Sequence, residues 1–309
     1  MDAVERLGRT ENPSFSIVVP TYNRPGPLSQ CLESIALIDY PADRFEVIVV
    51  DDGSHPSPCE IVARYGKRFP IRLLSKENGG PASARNFGAR VARGDYLFFT
   101  DDDCRVERDL LRRLAVHLER APDAAIGGSV VNALLRNIYS NVSQTHVRFL
   151  YDYYNRDFDR AQFFSSNNIA FPATLFHQIQ GFDTSLATGE DREICDRWLA
   201  SGHSLLYRPD VAIKHAHELT FASFWSQHFH YGKGAFQTRR LRARRERHRI
   251  YLESWRFYLQ WIAGKTDDFS RPWTWLARTL LVVSLVANGA GFLSEALRAR
   301  ALTAADLRR

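Results

Sequence analysis

Apolar runs recur along the first half of the chain at the length of buried strands. Residues 15–20 (FSIVVP), 45–50 (FEVIVV), 71–74 and 96–100 (YLFFT) are short, rich in β-branched or aromatic side chains, and bounded by polar or turn-forming residues. Such runs read as strands covered on both faces. Between them the apolar positions recur at helical spacing. Leu28, Cys31, Leu32 and Ile35 share one face of a helix predicted over 25–36, and further helices are expected near 60–65, over 83–92 and over 109–119. Strands alternating with helices imply βαβ units and a mostly parallel sheet. Ligands of such sheets bind beyond the carboxyl ends of the strands. Those ends carry the polar clusters here: Thr21-Tyr22-Asn23-Arg24, Asp51-Asp52 and Asp101-Asp102-Asp103.

The second half is less regular. Residues 146–163 are rich in Tyr, Phe, Arg and Asp; a strand over 168–171, a Gly181-Phe182-Asp183 turn, a helix over 190–201 and a strand near 211–213 follow. No internal repeat or low-complexity tract is present. With 45% hydrophobic and 25% charged residues, the 309-residue chain has the balance of a folded protein rather than a disordered one. That length fits two domains or one large α/β domain and needs no disulfide staple. Cys31, Cys59, Cys104 and Cys195 lie far apart without a C-x-x-C pair, which argues against a disulfide framework or zinc ribbon and fits a reducing compartment. Residues 1–13 form a polar lead-in without the apolar stretch of a secretory signal, so a cytoplasmic location is expected. A net charge of +6 favours an anionic partner: nucleic acid, a membrane surface or nucleotide phosphates.

Several constellations could carry chemistry. Adjacent carboxylates repel, so a site holding Asp101, Asp102 and Asp103 needs a counter-charge. Mg²⁺ or Mn²⁺ supplies one, commonly bridging carboxylates and substrate phosphates. A solvated acidic turn is the alternative, but the position at a strand end beside Asp51-Asp52 favours the metal. Asp51-Asp52-Gly53-Ser54 is either a plain turn or a contact to a base or ribose. Glu190-Asp191 opens a predicted helix, where acidic residues are favourable in any case; the functional reading is a general base. His215-Ala216-His217 is an H-x-H pair, a weak metal signal on its own. Residues 77–86 (ENGGPASARN) form a Gly-rich loop entering a helix, which lets the backbone approach a phosphate closely. Neither a dinucleotide fingerprint nor a P-loop occurs, and there is no G-x-S-x-G elbow, so a dehydrogenase, a P-loop NTPase and a serine hydrolase are disfavoured.

Taken in order, residues 17–24 (IVVPTYNR), 49–54 (VVDDGS), 77–88 (ENGGPASARNFG), 94–103 (GDYLFFTDDD), 165–171 (SSNNIAF), 181–183 (GFD) and 189–198 (GEDREICDRW) resemble the successive motifs of family 2 glycosyltransferases. The resemblance covers roughly residues 15–235. It implies a GT-A fold, an α/β architecture with a Rossmann-like, mostly parallel sheet flanked by helices, here with a C-terminal helical extension. The expected organisation is a lead-in over 1–13, a catalytic domain over 14–220 and a basic and apolar helical region over 221–309. The implied activity is inverting transfer from a nucleotide-diphosphate sugar, commonly a UDP-sugar, to a hydroxyl acceptor on a glycan, a lipid-linked carrier or a small molecule. By position, Pro20, Thr21, Asn23, Arg24 and Asp52 would line the nucleotide pocket, with Asn78 and Arg85 helping to hold base or diphosphate. Asp101 and Asp102 would lie near the ribose. Asp103 would be the direct ligand of Mn²⁺ or Mg²⁺, with Asp101 and His215 also assigned to the metal. The register of the three aspartates stays open by one residue, and so does the choice between His215 and His217. Asp191 would be the catalytic base, with Glu190 beside it. The Q-x-x-R-W motif of processive synthases is missing, which implies transfer of one sugar at a time.

The C-terminal quarter adds a membrane question. Residues 239–249 hold seven Arg and one Glu, and 279–294 are 16 residues without a charge. No nucleic-acid module accompanies the basic run, so nucleic acid is not an expected partner. A basic cluster beside an apolar helix flanked by Trp273 and Trp275 suits attachment to an anionic cytoplasmic leaflet, although 16 residues fall short of the ~20 that usually span a bilayer. A buried helix packed on the catalytic domain is the competing expectation. Two rival functions remain: a sugar nucleotidyltransferase, and a non-catalytic membrane-associated module that keeps a nucleotide-sugar pocket.

Overall fold

The computed structural model describes residues 12–247, 250–262 and 271–306. The four apolar runs of the first half form one parallel block. β1 (Phe15–Thr21), buried at every position, pairs in parallel with β2 (Phe45–Asp51) on one side and β4 (Tyr96–Phe99) on the other, and β2 pairs in parallel with β3 (Ile71–Ser75). The crossovers are α1 (Pro25–Ile35), α2 (Cys59–Ala63) and α3 (Pro81–Ala89).

Beyond β4 the sheet is mixed. β7 (Ile169–Pro172) runs antiparallel to β4. β6 (Ala125–Asn132) is antiparallel to β7 but parallel to β8 (Leu205–His215), and β5 (Cys104–Val106) closes the far edge antiparallel to β8. The resulting order is β3-β2-β1-β4-β7-β6-β8-β5. The parallel expectation thus describes the first four strands. The reason β5 departs from it is local: only residues 100–103 separate it from β4, far too few for a parallel crossover. The strand crosses to the far edge and pairs Cys104 with His215, which brings Asp103 beside the end of β8.

Alternating side chains of each strand feed two cores. Ile17, Val19, Val47, Val49 and Phe98 meet α1 and α4 (Leu110–Arg120) on one face. Val18, Ile48, Val50, Leu97, Phe99 and Phe171 meet α3, α6 (Ala173–Gln178) and α7 (Glu190–Ala200) on the other, together with α5 (Ile138–Tyr154). The C-terminal helices α8 (Phe221–Glu246), α9 (Trp255–Ile262) and α10 (Arg271–Asp306) join this second core through Phe224, Phe257, Trp261, Leu280 and Leu281.

α8 starts at Thr220, whose hydroxyl accepts from the Ser223 amide in a capping box. α10 then lies along α8 at backbone-to-backbone distance. A Cβ added at Gly232 would stand 1.9 Å from the Asn288 carbonyl oxygen, and one at Gly291 would stand 1.9 Å from the Phe229 carbonyl oxygen. Gly232→Val is therefore expected to lower stability by about 1–3 kcal/mol through overpacking, read as a lower thermal midpoint. Gly289→Ala, where the new methyl meets nothing within 4 Å, is expected not to lower it.

Candidate active site

The carboxyl ends of β1, β2 and β4 and the end of β8 converge on one cavity of about 1730 Å³. Its floor is a network of carboxylates and guanidinium groups. The Thr21 hydroxyl donates to Asp102 Oδ2 at 2.8 Å. Arg24, one loop later, donates from Nη1 to Asp102 Oδ1 and from Nη2 to Asp103 Oδ2, each at 2.8 Å. Burial pushes Asp102 up to about 7, with Arg24 and Thr21 acting against the shift. Asp103 goes the other way. Burial opposes its ionisation, but His215 and Arg24 more than offset it, and the carboxyl is held well below its ordinary range. His215 Nε2 lies 3.2 Å from Asp103 Oδ1. Burial disfavours the charged imidazole, yet the Asp103 carboxylate leaves the His215 pKa raised.

The residues present suit a hard divalent cation. Ligand atoms of Asp103, Cys104 and His215 lie within 4.8 Å of one another. Burial drives the Cys104 thiol well above its ordinary value, so the sulfur stays protonated and the available donors are a carboxylate oxygen and an imidazole nitrogen. Arg24, bridging Asp102 and Asp103, shows that the pair demands positive charge. Asp101 turns elsewhere and pairs with Arg85 at 2.6 Å. His217 stands behind His215, with ring centroids 5.2 Å apart, and burial pushes it down to about 4.

The Gly-rich loop is pinned by Asp52. Its carboxylate accepts from Lys76 Nζ at 2.6 Å and from the Gly80 amide at 2.8 Å, while Asn78 Nδ2 donates to the Asp52 carbonyl at 3.1 Å. Gly80 sits at φ +84°, a conformation that favours glycine, and so turns the chain into α3. One turn into that helix, Arg85 is nearly inaccessible. It donates from Nη2 to Asp101 and, at 3.0 Å, from Nη1 to Glu190 Oε1.

Glu190 and Asp191 open α7 after Gly189, which has φ +86° and leaves room for α8 at Gly234. The two acids differ in environment. Glu190 is paired with Arg85, whereas Asp191 accepts the Arg192 amide at 2.7 Å. Burial first, and the Glu190 charge second, push Asp191 up to about 7. A carboxylate tuned to that value is suited to take a proton at neutral pH.

Of the residues predicted from sequence, Pro20, Thr21, Arg24, Asp52, Asn78, Arg85, Asp101, Asp102, Asp103, Glu190, Asp191 and His215 all line this cavity. Asn23 does not. It has φ +53°, accepts the His55 amide at 2.8 Å through Oδ1, and lines a smaller pocket of about 250 Å³ with Ser54. Sequence reasoning missed Lys76, which follows β3 and pairs with Asp52 behind the Gly-rich loop, and it missed the part of the cavity wall built by α5, α8, α9 and α10. That wall depends on helix packing that no local pattern signals.

Residues 16–179 match the family model for glycosyl transferase family 2. The chain is 29% identical over 171 residues to the poly(ribitol-phosphate) beta-N-acetylglucosaminyltransferase TarS of Staphylococcus aureus, covering 52% of this chain but only 30% of that protein. It is 27% identical over 233 residues to glycosyltransferase AglE of Haloferax volcanii, covering 73% and 74% of the two chains. Among solved structures, the mannosyltransferase PcManGT of Pyrobaculum calidifontis in complex with GDP-Man and Mn²⁺ superposes with a TM-score of 0.60 at 22% identity, over 99% of this chain and 85% of that one. TarS 1–349 in complex with UDP-GlcNAc gives a TM-score of 0.53 at 19% identity, over 90% and 89%. These likenesses establish the fold.

Proposed function

The chain belongs to glycosyl transferase family 2, and from that membership we propose that it moves a single sugar from a nucleotide-diphosphate sugar to a hydroxyl acceptor with inversion at the anomeric carbon. The observation that carries this reading is the meeting, in one cavity, of the Asp103–His215 pair with a separately placed acid, Asp191, raised to about 7. The nucleotide would lie against Pro20, Thr21, Asp52 and Asn78, at the ends of β1 and β2. A uridine diphosphate donor is the first choice, since TarS was solved with UDP-GlcNAc; PcManGT, solved with GDP-Man, makes guanosine the competitor.

Mn²⁺ or Mg²⁺ held by Asp103 and His215 would stabilise the charge that builds on the diphosphate leaving group. Arg24 adds a permanent positive charge beside the same carboxylates. Arg85 ties Asp101 to Glu190, so the donor floor and the start of α7 keep a fixed relation. Asp191 takes the acceptor hydroxyl's proton as the new C–O bond forms and the bond from the anomeric carbon to the diphosphate oxygen breaks. One displacement with one base, without a covalent intermediate, inverts the centre. In this reading residues 14–220 are the catalytic unit, and α8, α9 and α10 complete the acceptor side.

The same reading places the chain at a membrane surface without crossing it. Among the described residues, one helix segment, Trp273–Ala301, is long and apolar enough to span a bilayer. One face of it packs on α8, which carries Arg239, Arg240, Arg242, Arg244 and Arg245, and Arg side chains at the bilayer centre are costly. The other face exposes Trp275, Val282, Val286, Leu293 and Leu297, a stripe suited to lie along a lipid surface.

The test is a thermal-shift panel with UDP, GDP, dTDP and CDP, each with and without Mn²⁺. Ligand at 100 times its Kd stabilises the folded state by ~2.7 kcal/mol, which is readily seen. A Mn²⁺-dependent shift with one nucleotide is expected, and it identifies the donor's base. A flat response to all four would remove the transferase reading.

A further inference from the structure

The donor and base roles leave part of the cavity wall unexplained. Three arginines there, Arg156, Arg192 and Arg239, are held by aromatic rings rather than by carboxylates. The Arg192 guanidinium lies 3.8 Å from the ring centroid of Tyr154 and 5.2 Å from that of Phe163. Arg239 stands 5.8 Å from Phe292, and the more exposed Arg156 stands 5.2 Å from Tyr153. None of the three has a carboxylate within ion-pair distance among the described residues. The nearby Glu253 is instead engaged by Tyr154, whose hydroxyl donates to it at 2.7 Å. A guanidinium stacked on a ring keeps its in-plane N–H groups for a ligand, and the fork matches phosphate or carboxylate oxygens.

Arg192 is the informative member. It sits in the first turn of α7, where a positive charge opposes the helix dipole, so helix stability does not account for it. It directly follows Asp191, and it is half-buried against Tyr154. Arg24 and Arg85, at the floor of the cavity, by contrast each pair with two carboxylates, Asp102 and Asp103 for Arg24 and Asp101 and Glu190 for Arg85.

We propose that the acceptor carries a phosphate group and that Arg192 binds it, setting the acceptor hydroxyl beside Asp191, with Arg239 contributing from α8. This rests on the transferase reading. A phosphate ester, rather than a neutral glycan, is the class that would pair the Arg192 guanidinium, because its neighbouring carboxylate, Asp196, lies beyond ion-pair distance and is itself paired with Arg242 at 3.6 Å. The phosphate can belong to a soluble ester or to a lipid headgroup, and the chemistry at Arg192 is the same.

The test is equilibrium binding to the full chain with UDP and Mn²⁺ saturating, so that the donor's diphosphate site is already filled. The probes are sn-glycerol 3-phosphate, glycerol as its neutral match, and phosphatidylcholine vesicles with and without phosphatidic acid. Glycerol 3-phosphate or phosphatidic acid is expected to bind where its neutral match does not, and which of the two binds identifies the source. Arg192→Gln is expected to weaken that binding about 10- to 100-fold, the value of a charge-assisted hydrogen bond, while UDP–Mn²⁺ binding stays within about twofold. Arg192→Lys, which keeps the charge and loses the fork, is expected to recover part of the loss, and Arg239→Gln to give a smaller one. The proposal fails if glycerol binds as well as its phosphate, if neither phosphate probe binds, or if Arg192→Gln leaves the binding unchanged. It also fails if Arg192→Gln weakens UDP–Mn²⁺ instead, which would assign the residue to the donor. Wild-type protein that binds no nucleotide at all would sink the transferase reading itself, a result separable from each of these.

Discussion

Asp191→Asn is expected to lower turnover by about 10²–10⁴-fold, the usual contribution of a positioned general base, and to leave nucleotide affinity unchanged. The measurement is UDP release from the UDP-sugar, or its counterpart with another base, beside the Kd for the nucleotide with Mn²⁺. A loss in kcat with constant Kd marks an interaction made in the transition state. A parallel loss of nucleotide binding would instead make Asp191 part of the donor pocket. The pH profile carries the same argument. A base must be deprotonated to act, and burial together with the Glu190 charge holds Asp191 at about 7. Activity should therefore rise with pH through about 7 and level off above it. Glu190→Gln removes one of the two influences that raise Asp191 and frees Arg85, so the acid limb should move to lower pH. A limb that stays in place, or moves up, would assign the ionisation to another group.

The part of this site at the ends of β1, β2 and β4 was legible because its pieces are local. A strand buried on both faces must be a continuous apolar run, so FSIVVP, FEVIVV and YLFFT stand out, and whatever follows each run must lie at the strand's carboxyl end. The strand-end placement of Thr21, Asp52 and the three aspartates follows from that logic, whereas their roles are what the family resemblance implies. His215 is a different case. Its closeness to Asp103 depends on β5 pairing with β8, and a three-residue strand leaves no readable pattern. β6 was hidden by its Gly127-Gly128 pair, which lowers strand propensity. The cavity wall built by the helices was the least legible. α5 carries an apolar and aromatic face of mixed size, and its meaning appears only when α8, α9 and α10 close over it. Gly232 is an unremarkable glycine in the sequence, yet in the fold it is where α10 touches α8. Arg192 reads as one more charge in an acidic first turn until Tyr154 is seen against it.

The three consecutive aspartates make the second large prediction a test of register. Each has a different set of partners, although Asp102 and Asp103 share Arg24, so each substitution should fail in a different way. Asp103→Ala removes the carboxylate that faces His215, and the Mn²⁺-dependent part of nucleotide stabilisation should disappear along with nearly all turnover. At 100 times Kd that part can reach ~2.7 kcal/mol, so its loss is visible in the same thermal panel. Asp101→Asn breaks the ion pair with Arg85 and leaves Glu190 as that guanidinium's remaining carboxylate partner among the described residues. Turnover should fall while the Mn²⁺ response persists. Asp102→Asn disturbs a buried carboxyl held by Thr21 and Arg24, so the unliganded protein itself should lose stability. If the Mn²⁺ response vanished in Asp101→Asn and survived in Asp103→Ala, the metal would lie two residues earlier in the chain, and the Asp103–His215 pair would be an ion pair of the fold alone. Asp103 has the stronger physical case: its carboxyl is held well below the ordinary range while burial raises Asp102, and among the described residues it is the aspartate of the three with an imidazole nitrogen within reach to complete a donor set.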